Sequence, residues 1–235
     1  MRNNIVLTGP PKSGKSTLLN KVISSYQNKV GLVTNEIREQ GARIGFCVET
    51  SAGAKSVIAS VNFSTNFQVS KYFVNLENLD IILPEIAKFN SADLLFLDEI
   101  GQMQLPSEKF RQLAIDYFDS PNIVLATLSK VFNDDFANNV RGRKDVIIIE
   151  ISEENRNAME SYIRALIGKI LKARRYIGEP SRFSINGNDA MIKTDHGLRH
   201  LKNINLNPIC ECDFFKKHGI CSHVIALEEY LAKKA

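Results

Sequence analysis

The sequence predicts an α/β fold, a mostly parallel sheet between helices, followed by a small C-terminal α+β zinc-binding domain. Three observations predict it: a glycine-bounded loop at residues 9–16 between strand-like and helix-like segments, an apolar run at 94–97 ending in Asp98-Glu99, and the cluster Cys210, Cys212, Cys221 and His223. At 235 residues the chain has room for one large domain or two smaller ones, and its 44% hydrophobic and 24% charged content is that of an ordinary globular protein. No apolar run approaches the ~18 residues of a membrane helix. After Met1-Arg2 the first apolar segment runs straight into Gly9-Pro10-Pro11, which does not read as a secretory signal, so the cytoplasm is the expected location and no membrane partner is expected.

The elements follow in order. Residues 5–8 form a short β-prone run and 16–23 read as a helix. Between them Gly9-Pro10-Pro11-Lys12-Ser13-Gly14-Lys15-Ser16 fits G-x-x-x-x-G-K-[ST], with the strand before and helix after that a P-loop requires. Backbone N–H groups from Ser13 to Thr17 are expected to wrap phosphates at the helix N-terminus, with Gly14 allowing close approach. Pro10 and Pro11 carry no N–H but precede these donors. Lys15 is expected to reach the β/γ-phosphates and the Ser16 hydroxyl to bind Mg²⁺. Residues 30–33 and 56–61 read as strands, 43–50 as a hairpin strand after a Gly41 turn, and 77–89 as a helix.

The run at 94–97 has the continuous hydrophobicity of a strand buried on both faces of a parallel sheet. Asp98 at its end is the expected Mg²⁺ carboxylate. Glu99 reads either as the general base that polarises an attacking water or as a surface acid at a strand end. A helix at 107–118, strands at 123–127 and 146–151, and a helix at 153–175 capped by Ser152 complete the domain. Arg141-Gly-Arg143-Lys144 reads as a basic, solvated turn.

Residues 35–46 (Asn-Glu-Ile-Arg-Glu-Gln-Gly-Ala-Arg-Ile-Gly-Phe), 96–110 around Asp98-Glu99-Ile-Gly101-Gln-Met103, and Ser152-Glu-Glu-Asn155-Arg156 resemble the thermophilic/cancer-related nucleoside triphosphatase family. With the P-loop, the resemblance covers about residues 1–168 in the right order. It implies a RecA-like P-loop domain that slowly hydrolyses ATP, GTP and other nucleoside triphosphates to the diphosphate. It also implies that Arg38 lies close to the phosphate site, where the residue alone reads equally as a surface arginine. The sequence departs from the family at Ser70-Lys71-Tyr72-Phe73-Val74, where members carry Gly-Arg-Tyr-Gly-Val, and at Lys12, where many carry Gly.

The cysteine region differs in charge. Residues 1–169 hold 19 Lys+Arg against 19 Asp+Glu, and residues 170–235 hold 11 against 7, the whole net charge of +4. A linker at 169–182, with its Gly178-Glu-Pro180 stop, separates the first domain from residues 183–235, where short strands with Asn/Gly turns lead to the cysteines. Cys210, Cys212, Cys221 and His223 make a tetrahedral zinc set with a following helix. Their spacing resembles the SWIM-type zinc finger, whose members bind nucleic acid or protein. His196, His200 and His218 read as surface residues and Cys47 as a small buried hydrophobe.

The expected function is Mg²⁺-dependent nucleoside triphosphate hydrolysis, tethered by a structural zinc finger to DNA, RNA or a protein. A nucleotide or nucleoside kinase on the same fold is the first alternative, with Arg141 and Arg143 as candidate lid arginines. A nucleotide-switched binding module with little turnover is the second.

Overall fold

The structure, a computed structural model, describes residues 1–130 and 132–234. Its contacts divide into two compact units, Asn3–Glu160, and Met1–Arg2 together with the chain from Ser161 onward. The division falls inside a long helix, ahead of the 168 boundary read from the sequence. From Ile163 onward that helix buries Leu166, Ile167, Ile170, Ala173 and Tyr176 at helical spacing, and these residues belong to the second unit.

In the first unit β1 (Asn4–Gly9), α1 (Lys15–Ile23) and β2 (Lys29–Glu39) lead into β3 (Ala42–Thr50), β4 (Lys55–Ser60), β5 (Gln68–Val69) and β6 (Tyr72–Val74). Then come α2 (Leu76–Ile82), β7 (Leu94–Ile100), α3 (Glu108–Asp119), β8 (Ile123–Ser129), α4 (Asp135–Gly142), β9 (Val146–Glu150) and the start of α5 (Arg156–Ile177). The strands form one nine-stranded sheet in the order β5-β6-β4-β3-β2-β7-β8-β1-β9. The block β2-β7-β8-β1-β9 is parallel. β3, β4, β6 and β5 extend it as antiparallel neighbours.

Parallel strands covered by helices on both faces need apolar residues at every position. Ile5, Val6 and Leu7 of β1 and Leu95 and Leu97 of β7 are fully buried accordingly. Parallel register also brings strand C-termini to one edge: Gly9 pairs with Ser129, Thr8 with Glu150, and Val33 with Asp98. This is the edge where α/β sheets bind ligands.

Local chemistry sets the helix starts. Asn75 accepts from Asn78 N at 3.1 Å, Ser107 from Phe110 N at 3.0 Å, and Asp134 from Phe136 N at 2.8 Å, each satisfying a free N–H of the first turn. Ser152 and Asn155 make a reciprocal pair: Ser152 Oγ accepts from Asn155 N at 3.4 Å and Asn155 Oδ1 accepts from Ser152 N at 3.0 Å. Regular helix therefore begins at Arg156 rather than 153. The helix expected over 77–89 ends at Ile82 and continues as a 3₁₀ turn, Leu83–Glu85, because Pro84 has no N–H to donate. β5, β6 and α4 are too short to leave a clear periodicity in the sequence.

The second unit holds the rest of α5, then β10 (Phe183–Asn186), β11 (Asp189–Thr194), β12 (Gly197–Lys202) and β13 (Ile209–Cys210) as an antiparallel sheet. α6 (Asp213–His218) and α7 (Ser222–Ala232) follow. Its small core includes Phe183 stacked on Tyr230, with ring centroids 4.2 Å apart. Among the described residues no helix is long and apolar enough to cross a membrane.

Candidate active site

The loop from Gly9 to Ser16 turns between β1 and α1 at the ligand edge of the sheet. A Cβ on Gly9 would lie 2.2 Å from Ile151 O, so only glycine lets the loop pass that close to the chain leaving β9. Gly14, the residue before α1, has φ +97°, a conformation that favours glycine. Lys15 Nζ donates to Gly9 O at 3.0 Å and Pro10 O at 2.9 Å, curling back over the loop. Burial lowers the Lys15 pKa, and the nearby Glu99 and Asp98 charges oppose that shift. Ser13 is buried, and its Oγ has no hydrogen-bond partner among the described residues. Pro10, Pro11, Lys12 and Thr17 are exposed around this turn.

Asp98 is the centre of the site. Ser16 Oγ donates to Asp98 Oδ1 at 2.9 Å, joining the loop to the end of β7. Thr127 Oγ1, from the C-terminal part of β8, donates to the same oxygen. The register between β7 and β8 shifts between Leu97 and Ile100, so Asp98 and Glu99 leave the regular ladder. Irregularities of this kind re-aim side chains beside active sites. Burial raises the Asp98 pKa against the hydrogen bonds from Thr127 and Ser16 and the Lys15 charge. Glu99 is raised by burial and then by the Asp98 charge, with Lys15 opposing.

A cleft of ≈ 690 Å³ gathers these groups. Its walls include Pro11, Lys12, Gly14, Lys15, Ser16 and Thr17 of the loop, Asp98 and Glu99, and Thr34, Arg43 and Phe46 from β2 and β3. Arg43 donates to Glu36 Oε1 at 2.6 Å and to Tyr72 Oη at 2.8 Å, with its guanidinium 5.0 Å from the Phe46 ring centroid. Arg38 is not among the lining residues. Its exposed guanidinium bonds Glu36 Oε2 at 2.6 Å and Gly41 O at 3.1 Å. Arg141 and Arg143 are not a free basic turn either. Arg141, on α4, donates to Ser129 O at 2.7 Å and Phe132 O at 2.8 Å, and Arg143 pairs with Asp119 and Asp145, each at 2.8 Å.

Sequence reasoning missed Thr127, Arg43 and Gly101. Thr127 was detectable as the one polar residue in the apolar run 123–128. Gly101 carries a separate message, since a Cβ there would lie 2.8 Å from Glu99 Oε1. The clashing atom is the tip of a flexible side chain, so Gly101→Ala is expected to keep the thermal midpoint and displace Glu99. Turnover should fall on the order of 10–100-fold, as for other small misplacements of reacting groups. Wild-type turnover in that variant would show that the Glu99 position is not critical.

In the second unit Cys210 sits on β13, Cys212 caps α6, Cys221 caps α7 and His223 lies in the first turn of α7. One ligand atom from each falls within 4.8 Å of all the others. His223 Nδ1 is 3.5 Å from Cys210 Sγ and 3.7 Å from Cys221 Sγ, and its ring stacks on Tyr176. His218 lies outside this set, stacked on Tyr162 at 4.5 Å, while His196 and His200 are exposed. Cys47 is half-buried on β3 rather than fully buried.

A P-loop tied by its serine to a strand-end aspartate, on a sheet with these parallel neighbours, defines a P-loop nucleotide-binding protein. The NTPase family model matches residues 4–164, and the chain belongs to that family. The nucleoside-triphosphatase THEP1 of Thermotoga sp. (strain RQ2) is 39% identical over 165 residues, 69% of this chain and 94% of the relative. The cancer-related nucleoside-triphosphatase homolog of Mus musculus is 30% identical over 185 residues, 71% of this chain and 97% of the relative. The crystal structure of THEP1 from Aquifex aeolicus matches with a TM-score of 0.64 at 30% identity, covering 70% of this chain and 98% of that one. The solution structure of a human cancer-related nucleoside triphosphatase matches with a TM-score of 0.61 at 28% identity, covering 70% and 97%. The Cys/His cluster lies beyond the residues the family model matches.

Proposed function

We propose that the chain hydrolyses nucleoside triphosphates, ATP and GTP among them, to the diphosphate and orthophosphate in the cleft around Asp98, with Mg²⁺ as cofactor. The observation that carries this reading is the 2.9 Å bond from Ser16 Oγ to Asp98 Oδ1, beside Lys15 and Glu99 in one cleft. Ser16 and Asp98 offer the hard oxygen donors that Mg²⁺ takes, and a buried carboxylate gains most from a cation. When bound, Mg²⁺ neutralises charge on the β- and γ-phosphates.

The chain's own residues do the rest. Lys15 Nζ donates to the β/γ-phosphate oxygens and the loop N–H groups wrap the phosphates. Glu99 takes a proton from the attacking water as its oxygen bonds to the γ-phosphorus. The bond from that phosphorus to the β–γ bridging oxygen breaks, and the diphosphate leaves. Among the arginines, Arg43 lines the cleft, and a phosphate-side role for Arg38 rests on the family resemblance alone.

The second unit is proposed as a structural zinc domain resembling the SWIM type, with Cys210, Cys212, Cys221 and His223 as a closed ligand set. It is proposed to tether the enzyme to a nucleic acid or protein. Exposed Lys216 and Lys217 on α6 and Lys169 lying 4.8 Å over the Phe214 ring support an acidic partner such as a nucleic acid. The kinase alternative loses support because Arg141 and Arg143 are committed to the protein itself.

The test is phosphate release from several triphosphates with and without Mg²⁺, DNA, RNA and a zinc chelator. Mg²⁺-dependent release without an added acceptor supports the hydrolase, and acceptor-dependent transfer overturns it. Stimulation by one polymer that is lost on chelation supports the tether. Equal rates with every polymer count against it.

A further inference from the structure

A second hollow opens beside the start of α1. It has a volume of ≈ 280 Å³, with Gly14, Thr17, Leu18 and Lys21 on one wall and Arg156 and Asn157 on another. Gly14 and Thr17 line both this hollow and the cleft around Asp98. The two openings therefore meet at the start of α1. In sheet order β9 lies on the opposite side of β1 from β8 and β7. The segment leading from β9 into α5, which carries Arg156, thus faces the loop from the side away from Asp98.

We propose that this hollow receives the nucleoside of the bound nucleotide, with the planar Arg156 guanidinium against the face of the base. The proposal rests on the triphosphate reading of the loop and deepens it. A P-loop imposes direction: its backbone N–H groups hold the α- and β-phosphates while its lysine reaches the β- and γ-phosphates. Lys15, Asp98 and Glu99 mark the γ end on the β7 side. The α-phosphate then lies toward Thr17, and the nucleoside emerges on the β9 side.

Arg156 suits that end. A Cβ built on Gly14 would lie 3.2 Å from Arg156 Cδ, so the missing side chain lets the arginine lie across the loop. Its side chain is exposed, and no hydrogen bond or ion pair joins its guanidinium to another described residue. The Ser152–Asn155 pair fixes the start of α5 and so the place from which Arg156 projects. In a hollow also lined by Leu18 and Lys21, a guanidinium plane can meet the π-face of a base. Such contacts accept any base, because every base has a π-face.

The experiment measures binding of ADP, GDP, UDP and inorganic pyrophosphate to the full chain in the presence of Mg²⁺, by calorimetry. Arg156→Ala is expected to weaken all three nucleotides about tenfold and pyrophosphate by less than about twofold. Arg156→Lys should remain weak, since lysine keeps the charge and loses the plane. Equal weakening of pyrophosphate, or full recovery with lysine, would place Arg156 on the phosphates and overturn the proposal. So would a loss confined to one base, or nucleotide weakening in Phe46→Ala that Arg156→Ala does not show, which would put the base in the main cleft. The readout is binding without turnover. A chain that binds ADP through Arg156 yet hydrolyses nothing would sink the hydrolase reading and leave this one standing.

Discussion

Glu99→Gln is expected to reduce phosphate release by about 10²–10⁴-fold, the usual contribution of a positioned general base, while nucleotide binding persists. The substitution keeps the shape and removes the proton acceptor. Its effect on stability has the opposite sign from its effect on turnover. Burial, and then the Asp98 charge, holds the Glu99 carboxyl above its ordinary value of 4.5. A carboxyl raised in the folded state contributes stability that is full below the unfolded pKa and is lost as pH rises through the folded pKa. At neutral pH, without a divalent cation, ionised Glu99 therefore weakens the fold. Glu99→Gln should melt at the same or a higher temperature than the parent, and the difference should vanish in acid. A variant that turns over normally would remove Glu99 from the mechanism. One that melts lower would mean its carboxylate is held by contacts stronger than its burial.

The second large effect lies at the cysteine cluster. Metal binding in zinc-finger peptides carries an apparent ~10–16 kcal/mol, more than a small domain's core supplies by itself. Beyond α5 the second unit has a thin antiparallel sheet and the helices α6 and α7, the latter capped by Cys221. Cys221→Ser or treatment with a strong chelator is expected to unfold α6 and α7, read as lost helical ellipticity and as new proteolytic cleavage beyond residue 200. The purified chain should carry one zinc per molecule by atomic emission. A metal-free chain that keeps its ellipticity and protease resistance would show that apolar packing alone, such as Phe183 on Tyr230, suffices.

These two sites were legible in the sequence for a common reason. In the P-loop and in the Cys-x-Cys and Cys-x-His pairs, the chemistry lies within a few residues of chain, so spacing nearly fixes geometry. The parallel strands were legible too, because burial on both faces leaves a continuous apolar run such as 94–97. Short strands such as Gln68–Val69 leave no such trace.

The arginines show where local reasoning ends. Arg38 and Arg43 stand opposite each other in the β2–β3 hairpin, and the pairing register shifts between Ile37 and Arg38. Directly paired residues share a face, and both arginines bond Glu36, but Arg43 extends to Tyr72 and Phe46 beside the cleft whereas Arg38 turns back to Gly41 O. Nothing in the spacing of 35–46 announces that difference. Thr127 on Asp98, and Gly101 beneath Glu99, likewise depend on register between strands or on a close approach in space. The sequence by itself determined the G-x-x-x-x-G-K-S loop and the Cys-x-Cys and Cys-x-His pairs, because each lies within a few residues of chain, and it marked Asp98 as the polar end of a buried apolar run. Only the tertiary structure decided which arginine lines the cleft, which threonine steadies the aspartate, and where the long helix changes its allegiance from one unit to the other. Those depend on strand register and side-chain burial, which residues distant in sequence set together.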